Sequence, residues 1–434
     1  MSAAQLMTTL GISQSAVSRT MQSLSPVATS FRVTGHRTPQ YGLLRPLPLG
    51  LDGRQRVYRI LRDGAIEPFG VLEFLQGGAT VERLGKSTRL YAGLPPYMAF
   101  ASPSGFLGRQ QAREAAASLR FPESLKDWGD DHHAAYLFTR GLNLPGNLVF
   151  GEACLQMEMD FRDSEPTPRA QRKDLYPAMA AALKAAAYGS SAGGEQPKFL
   201  ALAEGSGNVI VKFARLGSRM AELLPLEHLA LRTLNEVGVP AAPTELLTAG
   251  GYVFLEVQRF DRVGRFGRIG VLTAGTIDDE FFGSRDSWPQ FAARCEHARY
   301  LKAEHARRID TLAAFSELIG NNDRHFENIS LLIDERGRFA GLAPAYDILP
   351  MRYAPIGGGI DPDLTPLEPR VGAIGAKPQV WAVAWRAAER FWSAVQTEDT
   401  VVPVSPAIRQ LAAINLEVAR QFVAPLLPRL ASPH

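Results

Sequence analysis

An apolar helical pattern, Leu312, Phe315, Leu318 and Ile319, runs straight into Gly320, and the next eight residues are polar except for Phe326. A glycine there suits a helix C-cap, so the segment Asn321-Asn322-Asp323-Arg324-His325-Phe326-Glu327-Asn328 is held as a loop on the end of a packed helix. Ile329 to Ile333 and Phe339 to Ala343 then read as two short strands joined by the turn Asp334-Glu335-Arg336-Gly337. That hairpin carries the chain back, so Asp347 in Pro344-Ala345-Tyr346-Asp347-Ile348 is expected close to Asp323.

An aspartate, an asparagine five positions later, a hairpin and a second aspartate follow the order used in kinase-type phosphoryl transfer. One carboxylate accepts the proton of the attacking hydroxyl, and the asparagine and second aspartate hold the magnesium that neutralises phosphate charge. Asp323 is then the base, and Asn328 and Asp347 are the metal ligands. Asn, Asp and Gly also crowd turns for purely structural reasons. The reading therefore depends on the other parts lying upstream in the right order.

They do. An alanine-rich helix, Tyr176 to Ala187, leads into Tyr188-Gly189-Ser190-Ser191-Ala192-Gly193-Gly194-Glu195-Gln196-Pro197-Lys198. Small residues there let backbone N–H groups approach phosphate oxygens, and Lys198 adds charge. The strand Val209 to Phe213 places Lys212 among apolar neighbours, and a lysine in such a strand needs a carboxylate or phosphate partner unless it snorkels from an edge. Glu227 on the following helix is the candidate partner. The strand Tyr252 to Val257 then exits into Gln258-Arg259-Phe260-Asp261-Arg262, a segment able to offer backbone groups to an adenine edge.

The chain of 434 residues calls for two or three domains, and its 46% apolar and 21% charged residues are ordinary for globular proteins. Cys154 and Cys295 lie in no paired spacing, which suggests neither a disulfide framework nor a zinc site and fits a reducing cytoplasm. No apolar run is long enough to span a bilayer, and the N-terminus has no signal-peptide pattern. A soluble, cytoplasmic protein without a membrane partner is expected.

Net charge is +3, yet residues 1–50 hold Arg19, Arg32, Arg37 and Arg45 with no acidic residue, leaving −1 for the remainder. Such a basic end suits a polyanion. Leu6, Met7 and Leu10 share a helical face before Gly11, and Ser13 caps a second helix whose inner face is Val17, Met21 and Leu24. This is a helix-turn-helix pattern. Gln14, Ser15, Ser18, Arg19 and Gln22 remain on the outer face for DNA, and Arg37 sits in a basic wing between two short strands of Ser30 to Leu44. The run Ile12 to Arg19 resembles the winged helix-turn-helix domains of bacterial regulators. Pro46 to Gly50 reads as a linker. Asp130-Asp131-His132-His133 reads as a polar loop, since contiguous side chains cannot all converge on one ion. Trp381, Trp385, Phe391 and Trp392 follow a helix face and read as core.

Residues from about 50 to 430 resemble the HipA-type serine/threonine kinases, the toxin half of bacterial toxin–antitoxin pairs. The matching pieces are Ser191 to Lys198, Ile210-Val211-Lys212, Gln258 to Arg262, Asp323 to Asn328 and Pro344 to Ile348. The resemblance implies an α+β, bilobal protein-kinase-like fold with a mixed N-lobe and a helical C-lobe, here preceded by the small winged domain. The expected divisions are 1–46 for DNA binding, 50–150 for a mixed subdomain, 151–262 for the N-lobe and 263–434 for the C-lobe.

It also implies ATP and Mg2+ as reactants. Ser191, Ala192, Gly193, Gly194, Lys198, Lys212 and His325 would bind ATP, with Gln258 and Phe260 reaching the adenine through the backbone. Asp323 and Lys212 would carry catalysis, Asn328 and Asp347 would hold metal, and Ser191 or its neighbour Ser190 would be autophosphorylated. The partners implied are a protein substrate, such as a translation component, and an antitoxin. Double-stranded DNA is expected at the N-terminal domain, and a palindromic operator would also require a homodimer. Glu327 departs from the pattern: family members often have lysine there, and a carboxylate would repel a transferring phosphate. Pro197 departs too, standing where an acidic residue is usual. The opposing reading is a DNA-binding regulator whose kinase-like body senses nucleotide without phosphorylating a substrate.

Overall fold

The computed structural model describes residues 1–25, 27–187, 196–356, 359–398, 400, 402 and 404–427. Ser190, Ser191, Ala192, Gly193 and Gly194 of the expected phosphate loop, and Gly357 and Gly358, lie outside the described residues. The chain forms two units: unit 1 is Met1–Ser164 with Arg265–Ile269, and unit 2 is Glu165–Gly264 with Gly270–His434.

In unit 1, helices α1 (Ala3–Leu10) and α2 (Gln14–Ser23) are capped by Ser2 and Ser13, each hydroxyl accepting a backbone N–H of the first turn. Gly11 ends α1 in the left-handed conformation that the turn requires. Strands β1 (Ala28–Phe31) and β2 (Gln40–Leu43) pair antiparallel where the wing is expected. Gln14, Ser15, Ser18, Arg19, Gln22 and Arg37 are exposed. Val17 is buried, whereas Leu10 and Leu24, expected on the inner faces, are exposed.

The five-stranded sheet of unit 1 has β3 (Arg54–Ile60), β4 (Ile66–Phe74), β5 (Thr80–Leu84), β6 (Ser87–Tyr91) and β7 (Leu148–Phe150) in the order β6-β5-β4-β3-β7. Helices α3 (Pro96–Ala101), α4 (Gly105–Leu119), α5 (Asp130–Arg140) and α6 (Gly151–Arg162) complete it. Two expectations are corrected here. Pro46 to Gly50 is not a loose linker, because Leu47 is buried with Val57, Leu72 and Phe74 and the Arg45 N–H donates to Phe74 O at 2.8 Å. Asp130 to His133 is not a loop but the first turn of α5, where two acidic residues favour the helix N-terminus and Asp131 pairs with Arg45 at 2.6 Å. The wing is also built into the unit, since Phe31 packs with Leu75 and Val81.

Unit 2 begins with α7 (Arg172–Ala187), then β8 (Lys198–Ala203), β9 (Gly207–Arg215), α8 (Arg219–Glu236), β10 (Thr244–Ala249) and β11 (Tyr252–Gln258). Its four strands pair antiparallel in the order β10-β11-β9-β8, opposing Lys198 to Lys212. Next come β12 (Gly270–Thr273), α9 (Ala274–Phe281), α10 (Trp288–His297), α11 (Ala303–Ile319), β13 (Ser330–Ile333), β14 (Phe339–Leu342), α12 (Pro378–Thr397) and α13 (Pro406–Val423). The expected hairpin is β13 and β14, and β12 joins it as a third strand. α11 ends at Gly320 with φ +76°. A large core containing Phe315, Trp381, Phe391 and Trp392 packs the helices, with Trp385 partly buried against it.

Candidate active site

Lys212 on β9 is buried, and its ammonium contacts the carboxylates of Glu227 on α8, at 2.5 Å, and of Asp347. Burial alone would push the lysine toward neutrality, but Asp347 and Glu227 raise its pKa above the usual value. Burial likewise pushes Asp347 up, yet Lys212 and Lys198 outweigh it and bring the carboxyl to about 2. Lys198 thus adds its charge to the same place from the neighbouring strand.

Two backbone devices bring Asp347 there. The segment before it is stitched to the loop after α8: Ala345 N–H donates to Pro240 O and Ala242 N–H to Ala345 O, both at 2.9 Å. Asp347 itself adopts φ +53°, a left-handed conformation that a non-glycine residue holds only when its surroundings fix it. Tyr346 stacks at a tilt on Phe260, ring centroids 5.4 Å apart, and its hydroxyl donates to Glu327 O at 2.8 Å.

The loop after Gly320 is held from inside. Asn321 Oδ1 accepts the Asp323 N–H at 3.1 Å, and Asn328 Nδ2 donates to Asp323 O at 2.9 Å. Asn328 thereby keeps its amide oxygen as a donor to a metal. Trp288 Nε1 donates to His325 O at 3.1 Å, and Arg324 pairs with Glu317 at 2.6 Å. The Asp323 carboxylate is about half exposed, 3.7 Å from His325 Nε2.

Asp347 and Asn328 offer hard oxygen donors, one carboxylate and one amide, the set that holds Mg2+ together with substrate phosphates instead of caging it. Among the described residues no cluster of three or more His, Cys, Asp or Glu would cage a metal by itself. Of the expected adenine contacts, Gln258 has committed its N–H to Pro243 O at 2.9 Å, so it can offer its carbonyl instead. Arg259 and Asp261 form a buried pair at 2.8 Å that braces this exit segment.

Glu327 is handled differently from what its sequence position suggests. Its carboxylate is taken up by His325 Nδ1 at 3.2 Å and Arg285 Nη1 at 2.5 Å. The His325 contact, with Arg285 behind it, holds the Glu327 carboxyl at about 2 and keeps it ionised. Arg285, with Asp278 and Asp279 that place it, was missed from sequence. These residues lie some forty positions before the loop of Asp323 to Asn328, and no spacing rule links them to it.

Two family descriptions match the chain: a YjjJ-like toxin middle domain over residues 51–159 and a HipA-like C-terminal domain over residues 190–412. The chain is 32% identical over 433 residues to Toxin YjjJ of Escherichia coli K12, covering 97% of this chain and 95% of that protein. Among solved structures it resembles a chain of the Shewanella oneidensis MR-1 toxin–antitoxin complex of HipA, HipB and operator DNA. The TM-score is 0.51 at 14% identity, covering 85% of this chain and 97% of that one, a likeness of fold. Among the described residues no helix is long and apolar enough to cross a membrane.

Proposed function

The chain belongs to the HipA-type toxin kinase family, and from that membership we propose that it is an ATP- and Mg2+-dependent serine/threonine protein kinase with a DNA-binding N-terminal end. The observation that carries the reading is the meeting of buried Lys212 and Glu227 with the partly exposed Asp347, whose neighbour Tyr346 is bonded to the loop that carries Asp323 and Asn328. Lysine and glutamate come from consecutive elements, fifteen residues apart, whereas the aspartate lies 135 residues after the lysine, and kinase-type phosphoryl transfer uses the three together.

In the proposed reaction Asp323 accepts the proton of a serine or threonine hydroxyl as that oxygen attacks the γ-phosphorus and the bond to the ADP oxygen breaks. Lys212 orients the phosphates, held by Glu227 in a single direction. Asn328 and Asp347 would hold Mg2+, which when bound neutralises the charge on the phosphate oxygens. Ser190 or Ser191 is the proposed autophosphorylation site.

Arg19 and the polar outer face of α2, with Arg37 in the wing, are the proposed DNA contacts; their exposure and the absence of acidic residues from positions 1–50 support this. The solved structure of similar fold sits with HipB and operator DNA, so we propose an antitoxin and duplex DNA as partners; a second copy of this chain is proposed separately, because a palindromic operator calls for a symmetric dimer.

The test is intact-mass and peptide mass spectrometry after incubation with Mg2+ and ATP, beside Asp323→Asn and Asp347→Ala. Phosphate on Ser190 or Ser191 in the unmodified protein alone is the expected result. ATP binding without phosphate on the chain or on any added protein would replace the kinase with a nucleotide-sensing regulator.

A further inference from the structure

We propose that Arg285 is a positioning residue for phosphoryl transfer: it acts through Glu327 and His325 to hold the catalytic loop with its Asp323 carboxylate set for the incoming hydroxyl. The proposal rests on the kinase reading and adds a device to it.

The placement of Arg285 begins at a buried carboxylate. Asp278 on α9 is fully buried, with Oδ2 accepting the N–H groups of Ser284 at 2.7 Å and Arg285 at 2.8 Å, and Oδ1 accepting Arg294 Nη2 at 2.8 Å. Arg285 is held at φ +43°, a left-handed conformation that a residue with a side chain adopts only when its surroundings fix it. Asp279 takes two guanidinium nitrogens, Nε at 2.7 Å and Nη2 at 2.5 Å, in the fork geometry that fixes direction as well as distance. Nη1 is left pointing at Glu327 Oε1, 2.5 Å away. Gly275 makes the seat, because a Cβ there would collide with both Glu327 Oε1 and Arg285 Nη1.

From Glu327 the chain of contacts continues inward. Its second oxygen lies 3.2 Å from His325 Nδ1, and that contact sets the orientation of the ring. The opposite nitrogen, Nε2, then faces Asp323 Oδ1 at 3.7 Å. Arg285, Glu327 and Asp279 are each about half exposed, and a surface ion pair of that kind normally contributes little. Buried Asp278, the left-handed backbone and the two-nitrogen fork fix one guanidinium toward one carboxylate, and Gly275 leaves room for the pair. The glutamate that departs from the family pattern thus becomes the middle of a relay.

The full-length protein and its Arg285→Ala, Glu327→Ala, Glu327→Gln and Arg285→Ala/Glu327→Ala forms would be compared for Mg2+-dependent phosphate incorporation, ATP KM and Tm. Arg285→Ala should lower kcat roughly 10- to 100-fold with ATP KM within about threefold. The double variant should be no slower than Glu327→Ala by more than about threefold, since both changes break one relay. Glu327→Gln, whose single amide oxygen can replace only one of the two carboxylate oxygens that meet His325 and Arg285, should recover only part of the rate lost in Glu327→Ala. Multiplicative losses in the double variant, or a rate loss that merely follows Tm, would overturn the proposal. A 15N imidazole spectrum of His325 separates the two hypotheses: if the wild type binds ATP but transfers no phosphate, the kinase reading fails. The relay then stands only if Arg285→Ala shifts that signal, and an unshifted signal overturns it as well.

Discussion

Two buried carboxylates, one in each unit, are surrounded by cations and yet differ in what they leave open. Glu73 on β4 has both oxygens filled, Oε1 by Arg54 Nε at 2.9 Å and Oε2 by Arg83 Nε at 3.1 Å and Thr29 Oγ1 at 2.8 Å. Glu227 shares one oxygen with Lys212, while Oε2 is buried with no hydrogen-bond partner. The third member of that cluster, Asp347, is 31% exposed and strained. A closed network binds the wing strand β1 to the sheet and asks for nothing further. An open one tolerates an orphaned oxygen at a cost of about 1–3 kcal/mol, as Thr80 Oγ1 and Asn208 Oδ1 do elsewhere in the chain; what sets this one apart is the partly exposed carboxylate of Asp347 in the same cluster.

The largest effect expected from this contrast is at the open network. Lys212→Met should slow phosphate transfer about 10²- to 10³-fold, the usual loss when one preorganised electrostatic group is removed from a transition state. Steady-state incorporation of phosphate from ATP measures it. A rate within tenfold of wild type would mean that the orphaned oxygen and strained aspartate do not mark the reacting centre.

At the closed network the effect should be on stability alone. Glu73→Ala should lower unfolding free energy by about 2 kcal/mol, below the full cost of breaking a buried pair because Arg54 and Arg83 reach solvent. Denaturant unfolding gives the number, and phosphate transfer by the folded fraction should stay within about twofold. A large loss of transfer at unchanged stability would erase the distinction between the two networks.

How legible each network was in the sequence follows from how local its signals are. Lys212, Glu227, Asp323, Asn328 and Asp347 could be named because each sits at a landmark: a strand lysine, a helix face, a glycine-capped helix end and a hairpin return. Their order along the chain supplied the rest. Glu73 announced nothing, since its partners Thr29, Arg54 and Arg83 come from three strands whose mutual register no local pattern sets. Strands β5, β6 and β12 were likewise passed over, being only four or five residues long, although glycines bound each of them. Arg285 was hidden for a related reason. Its role depends on a left-handed backbone and a buried Asp278, neither of which has a periodicity to read. Leu47 looked like linker because prolines flank it, yet the core around Val57 and Phe74 claims it, a tertiary contact overriding local turn chemistry.

The smallest expected effect concerns the end that the closed network anchors. Deleting residues 1–46 would uncover Leu75, leave Glu73 without Thr29 and take away Arg45, so any loss of DNA binding would be entangled with damage to the sheet. Arg19→Ala avoids this, because its side chain is exposed on α2 and touches none of those partners. Each phosphate neutralised by an arginine contributes about 0.9 to the slope of log K against log salt, so the variant should bind duplex DNA with a slope shallower by roughly one. Titration of a labelled duplex at several salt concentrations measures it, with ATP binding unchanged as the control. An unaltered slope would remove Arg19 from the interface, and the same result with Arg37→Ala would leave the basic end of unit 1 without a nucleic-acid role. The closed network would then anchor a packing element to the sheet, not a reader of DNA.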